Sequence, residues 1–184
     1  MCYSYFNASS DKDYDFTAIT GFIYRKITGT MAFEDKADLV QSTTPWGYWY
    51  QTMEDVTAVL EVPLSTKGKN VNIKILPNKL TCFVNETSIF SSKLFASIIC
   101  DESTWTIEDE DGLKIVRIFL VKSNKTAKDC WSSLFIDDCK ADFVTLDTMK
   151  KRMLQERYHT ENPGFDFSQA EVTGNYQDGG PDLG

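Results

Sequence analysis

The chain contains a single histidine, His159, and this bounds its chemistry from the outset. Ser–His or Cys–His nucleophile activation needs a base held beside the nucleophile. No spacing in the chain places a nucleophile beside His159, which lies just before the Asn162-Pro163-Gly164 stop signal, where an exposed polar residue is the ordinary occupant. No Gly-rich loop follows an extended run, so neither a phosphate cradle nor a cofactor is expected. Cys2, Cys82, Cys100, Cys130 and Cys139 include no C-x-x-C pair. They form neither a zinc set nor a disulfide framework, and reduced, mostly buried thiols are expected. The run Glu108-Asp109-Glu110-Asp111 offers carboxylates to calcium. It lacks the D-x-D-x-D-G spacing and the distal Glu, so a solvated hairpin tip fits better. Trp46, Trp49 and Tyr50 could stack on nucleic-acid bases, but no basic residue lies nearby, and packing at the end of a core is the better reading.

Composition points the same way. The 184 residues suit one domain of ordinary size, and 27 acidic against 19 basic residues give a net charge of −8. Hydrophobic content of 42% with 25% charged residues is that of a globular chain. The strongest apolar stretch, Ile115 to Val121, is interrupted by Arg117 and is far shorter than the roughly 18 residues of a spanning helix. No membrane partner is expected. No nucleic-acid partner is expected either, because phosphate binding needs clustered bases and only Lys150-Lys151-Arg152 qualifies. The N-terminal stretch has no basic leader followed by an apolar block, so a cytoplasmic location is expected.

The elements that would position these residues are mostly strands. Residues 1–30 have no clear period and are expected to be a poorly ordered extension. Met31-Ala32-Phe33-Glu34 reads like an ordinary start, so the domain is drawn over 31–136. Val56, Ala58, Leu60 and Val62 alternate, as do Val71, Ile73 and Ile75, then Leu80, Cys82 and Val84. Pro77-Asn78, Asn85-Glu86 and Asp111-Gly112 are turn signals. Thr104 to Glu108 reads as a short strand. Lys114 to Lys122 reads as the longest strand, central and covered on both faces. Seven or eight such strands predict an all-β antiparallel β-sandwich, with Trp46, Trp49, Trp105, Ile107 and Trp131 in its core. Residues 137–160 hold a C-terminal α-helix, read over Asp142 to His159: Phe143, Leu146, Met149, Met153 and Leu154 recur at helical spacing. Residues 161–184 carry five glycines, five acids and no base, an acidic Gly-rich tail unable to build its own core. An extracellular immunoglobulin-like sandwich is disfavoured: Cys82, Trp105 and Cys130 are too closely spaced, and Lys128 stands where a tyrosine corner would place Tyr.

Specific residues carry a resemblance beyond periodicity. Trp46-Gly47-Tyr48-Trp49-Tyr50-Gln51-Thr52 with Glu54-Asp55-Val56 resembles the opening of the CS domains of the NudC family. Asp101-Glu102-Ser103-Thr104-Trp105-Thr106-Ile107-Glu108-Asp109 is similar to that family's D-E-S-x-W-x-x-E-D signature, and Trp131-x-x-Leu134 to its tryptophan after the last strand. In the tail, Glu161-Asn162-Pro163-Gly164-Phe165-Asp166-Phe167-Ser168 and Gly174-Asn175-Tyr176-x-x-Gly179-Gly180-Pro181-Asp182 resemble one branch of the family. Gln169 stands where that branch usually has Gly, and Leu183 where it usually has Phe. The resemblance spans roughly residues 33 to 183. It implies the fold of heat-shock-type small chaperones and a non-enzymatic co-chaperone that stabilises clients. It further implies heat-shock protein 90 and WD40 propellers such as the lissencephaly-1 protein as partners, and the cytoplasm, centrosome, spindle pole and kinetochore as sites of action. The alternative is a passive adaptor in dynein or centrosome assemblies.

Such a protein acts through surfaces. Tyr48 and Gln51 are expected to be exposed on the aromatic edge, while the tryptophans pack inward. Phe165, Asp166, Phe167 and Tyr176 are the candidates in the tail. An extended Phe-x-Phe segment can pair with a sheet edge, on its own sandwich, on a second copy in a homodimer, or on a client.

Overall fold

The structure, a computed structural model, describes residues 39–110, 112–126 and 128–165. Among the described residues, eight strands form two antiparallel sheets: β1 (Ser42–Thr44), β2 (Gly47–Gln51), β3 (Asp55–Val62), β4 (Val71–Leu76), β5 (Lys79–Val84), β6 (Thr87–Lys93), β7 (Ile98–Glu110) and β8 (Leu113–Lys122). One sheet runs β1-β2-β3-β8-β7 and the other β4-β5-β6. A C-terminal α-helix, α1, spans Phe143–Glu161. The all-β sandwich with a C-terminal helix is therefore the observed architecture.

Alternation builds the core as expected. Val56, Ala58 and Leu60 of β3 face Leu120, Ile118 and Val116 of β8 in register, and all six are buried. Leu80, Cys82 and Val84 close the layer from β5. Burial of the Cys82 thiol pushes its pKa up to about 12. Cys82, Cys100, Cys130 and Cys139 are all free thiols, but only Cys82 is fully buried.

The turns follow their residue types. Gly112, at φ 76, makes the β7–β8 hairpin. Asn85 and Glu86, at φ 49 and 66, make the β5–β6 turn, the left-handed pair that a two-residue hairpin needs.

Three expectations are corrected. β7, at 13 residues, is the longest strand, against 10 for β8. The polar Asp101-Glu102-Ser103 run reads as a break, yet the strand continues through it with a register shift between Ile99 and Thr104. Ser103 Oγ donates to the carbonyl of Ile99 at 2.7 Å and accepts from the N–H of Val121 at 3.0 Å. The hydroxyl thus stitches the bulge where the backbone ladder lapses. Second, β8 is central, but its outer face is only partly covered: Ile115 and Val121 are buried while Phe119 is exposed. Third, Trp105 and Ile107 are half-buried and packed against the core from one side, because β7 is a sheet edge. Trp46 is also half-buried and meets Phe90 at 5.2 Å between ring centroids. The fully buried tryptophans are Trp49 and Trp131.

Trp105→Ala is accordingly expected to cost about 1.5–3 kcal/mol, below the roughly 3–5 kcal/mol of a fully buried aromatic. Urea unfolding of Trp105→Ala and Trp131→Ala side by side checks this. A larger loss at Trp105 would contradict the edge placement.

Helix α1 begins at Asp142, whose carboxylate accepts from the N–H groups of Val144 and Thr145, both at 3.0 Å. The Thr145 hydroxyl first, and then these backbone bonds, hold its pKa below the usual carboxylate value. Phe143 and Val144 are exposed, and the buried stripe is Met149, Met153 and Leu154. The helix is therefore seated from Met149 onward, not from Phe143, because the solvent-facing Asp142 cap leaves its first turn in water.

Candidate functional site

The aromatic segment of β2 has two faces. Trp49 points inward, and its indole Nε1 donates to the carbonyl of Cys139 at 3.0 Å. Tyr48 and Tyr50 share the outer face and stack at 6.3 Å. Tyr48 is half-buried; desolvation, assisted by the nearby Glu110 charge, pushes its phenol up to about 12. It is a neutral hydroxyl at physiological pH, presented at a sheet surface.

Gly47 makes this strand possible. Its φ is 147°, and a Cβ built there would lie 2.1 Å from the carbonyl oxygen of Val59 on β3. Only a residue without a side chain lets β2 approach β3 this closely.

Gln51, expected at the surface, is 6% exposed. The parity that turns Trp49 inward also turns Gln51 inward, so it cannot touch a partner directly. Its Oε1 accepts from the ammonium of Lys122 and from the N–H of Trp131, both at 2.9 Å. Its Nε2 donates to the carbonyl of Trp131 at 2.8 Å and meets Cys130 Sγ at 3.4 Å and Met149 Sδ at 3.3 Å. A flipped amide would set its NH₂ against two donors, so the partners fix its orientation.

Lys122 completes the knot. It is 1% exposed and donates also to the carbonyls of Thr52 at 2.8 Å and Asp129 at 3.4 Å. Burial lowers its pKa from 10.5 to about 8, against the opposing pull of Cys130, Asp55, Glu156 and Asp129. Burial also raises the Asp55 and Cys130 pKa values. The knot ties the end of β2, the end of β8, the Trp131 segment and α1 into one unit. Met53 N–H adds a bond of 2.8 Å to Glu156 of the helix.

Beside the knot lies a cavity of about 310 Å³, lined by Leu39, Val40, Thr52, Met149, Arg152 and His159 among others. Thr52 Oγ1 already accepts from the N–H groups of Glu54 at 3.2 Å and Asp55 at 3.1 Å, so it serves the turn. Nothing in this lining sets a nucleophile against His159. Among the described residues, no group of three or more His, Cys, Asp or Glu could hold a metal ion, and no helix is long and apolar enough to cross a membrane.

Sequence reasoning joined Gln51 to Tyr48, and the structure joins it instead to Trp131, Lys122 and Met149. Lys122 and Gly47 were passed over. The parity of Val116, Ile118 and Leu120 was the available signal for Lys122. Phe165 lies just past α1, 71% exposed, with its N–H on the carbonyl of Asn162 at 3.2 Å. Asp166, Phe167 and Tyr176, like the 1–30 extension, lie outside the described residues.

Comparison with known proteins gives a consistent picture. Residues 45–122 match the CS domain. The chain is 43% identical to NudC domain-containing protein 2 of Rattus norvegicus over 151 residues, covering 82% of this chain and 94% of that protein. It is 36% identical over 108 residues to the nuclear movement protein nudc of Schizosaccharomyces pombe, covering 57% of this chain and 62% of that protein. The crystal structure of NudC domain-containing protein 2 from Mus musculus aligns with a TM-score of 0.41 and 39% identity, over 73% of this chain and 100% of that one.

Proposed function

The chain belongs to the NudC family of CS-domain proteins, and on that premise we propose that it is a non-enzymatic co-chaperone that binds and stabilises client proteins. The observation that carries this reading is the 43% identity across 94% of a NudC-family relative. A buried polar knot and a single histidine are consistent with a rigid binding module. On this reading heat-shock protein 90 and WD40 propellers, including the lissencephaly-1 protein, are its partners. The cytoplasm, centrosome, spindle pole and kinetochore are where it acts. Tyr48, half-buried where the sequence suggested exposure, and the exposed Phe165 supply aromatic contacts, with Asp166, Phe167 and Tyr176 extending them along the tail.

Light scattering of a heat-stressed WD40 propeller tests the proposal. The purified chain should suppress aggregation equally with and without ATP, since the sequence has no phosphate loop. Replacing Phe165 and Phe167 together by Ser should weaken client association about tenfold, or about 1.4 kcal/mol. ATP turnover, or protection that requires nucleotide, would overturn the reading. Stable stoichiometric binding to a folded partner without suppression would identify a passive adaptor.

A further inference from the structure

The outer face of the β4-β5-β6 sheet is positively charged on a chain whose net charge is −8. Register sets Lys74, Thr81 and Ser91 in one row, and Leu76, Lys79 and Lys93 in the next. All but the half-buried Thr81 are exposed. From Pro63 to Ser97 the chain has five lysines and one carboxylate, Glu86, and Glu86 sits in the turn at the opposite end of the sheet from Lys79 and Lys93.

Charge is handled differently on the two layers. Residues 99–113 carry six acids and no base, and there four of them are met: Arg117 bonds Glu108 and Glu110, each at 3.1 Å, Lys114 reaches Asp109 at 3.4 Å, and Lys125 reaches Glu102 at 3.7 Å. The ammonium groups of Lys74, Lys79 and Lys93 enter no ion pair and no hydrogen bond among the described residues. Lys79 stands directly opposite Lys93, a like-charge pair that destabilises a sheet. A carboxylate laid over that pair removes the repulsion. Leu76 is 49% exposed and Phe83 37%, giving the same face two apolar footholds.

We propose that this face docks an acidic, aromatic-bearing extended segment of a partner protein. In an extended chain, side chains two residues apart point the same way at about 7 Å spacing. Lys79, Thr81 and Phe83 follow one another at that spacing along β5, so a carboxylate over the Lys79–Lys93 pair sets the side chain four residues further on over Phe83, where an aromatic ring covers it. Polyphosphate is the weaker fit, because three lysines supply few phosphate contacts and the acidic remainder of the chain repels nucleic acid. The proposal stands on the charge pattern and does not depend on the co-chaperone reading.

The test uses the full chain and a fluorescein-labelled peptide whose alternate positions present Glu, Thr and Phe in turn on one face, read by anisotropy at low salt. Saturable binding is expected. K79E with K93E should weaken it at least about tenfold, and K79Q with K93Q by a smaller factor. The charge-matched pair K128E with K140E, also at exposed lysines, should change it less than about twofold. All these sites are exposed, and unchanged thermal unfolding will confirm intact folds. Equal losses from both reversal pairs would reduce the effect to net charge and overturn the proposal. So would absent binding, unchanged binding by K79E with K93E, or tighter binding of an oligothymidylate of equal length.

Discussion

Gly47→Ala is expected to prevent this protein from folding. The added Cβ would lie 2.1 Å from the Val59 carbonyl oxygen and 3.1 Å from its carbon. Neither atom can move alone, because Val59 is in the β3–β8 ladder and Gly47 is paired with both Leu60 and Thr44. Relief requires parting β2 from β3, which would pull Trp49 and Gln51 from their buried bonds. The cost should exceed about 4 kcal/mol, at the extreme of single substitutions and close to the whole stability of an ordinary domain. Gly112→Ala is the control: it meets nothing within 4 Å and bears only the strain of φ 76, about 1–2 kcal/mol. Soluble yield and thermal unfolding of the two variants give the answer. A Gly47→Ala protein that melts like wild type would show that β2 and β3 are not this close.

The second large effect centres on the Gln51 knot. Gln51→Leu should cost about 3–5 kcal/mol, because it removes one of the three acceptors of the buried Lys122 ammonium and leaves both backbone groups of Trp131 without their partner. Lys122→Met removes the buried charge and should cost far less. The double variant should recover part of the Gln51→Leu loss, a coupling of more than about 1 kcal/mol by a double-mutant cycle in urea. Additive losses would mean the ammonium does not depend on Gln51.

Lys122 also leaves a signature in pH. Its folded pKa is lowered to about 8 from 10.5. Between those values the unfolded chain holds the proton and the folded chain has released it. Raising the pH therefore favours folding through this group, by up to about 3 kcal/mol over the window, and below pH 8 that contribution is absent. The thiols of Cys82 and Cys139 act oppositely. Their pKa values are raised from 9.0 to about 12, so they withdraw stability as pH climbs above 9. The difference between wild type and Lys122→Met isolates the lysine: wild type should gain on the variant from pH 8 to 10.5. A constant gap would mean the amine is not desolvated.

Much of this arrangement is legible in the sequence, and the failures have physical causes. Alternation places Val56 to Leu60 and Val116 to Leu120 on the inner faces because a strand has period two and the core takes one face. The same rule, followed two residues beyond Leu120, puts Lys122 inside, and followed from Trp49 puts Gln51 inside. Residue type argued for the surface and lost to parity, because each polar group found partners from segments about 80 residues away. Ser103 could not be read as a strand residue, since its role depends on a bulge that exists only once β8 is paired. Trp105 was misjudged because alternation identifies a face but not whether its strand is an edge. Helix α1 was placed within two residues of its observed ends, helped by Asp142 and the Asn162-Pro163-Gly164 stop.

The reach of the Gln51 knot bears on how the protein is made. Its contacts run from Gln51 to Trp131, 80 residues on, and to Met149, 98 residues on, while β3 waits for β8 to pair. At roughly 5–20 residues per second, translation needs about 5–20 s to supply the last of these partners after Gln51 has been added. From the completion of β3 at Val62 until β8 has been added, β3 lacks the strand it pairs with on that side. A ribosome pausing between codons 51 and 149 would lengthen the exposure, and premature termination before Trp131 would release a chain that cannot close. The nascent protein is thus itself in need of shelter, and its yield in a cell should respond to translation speed over that stretch more than over the rest of the message.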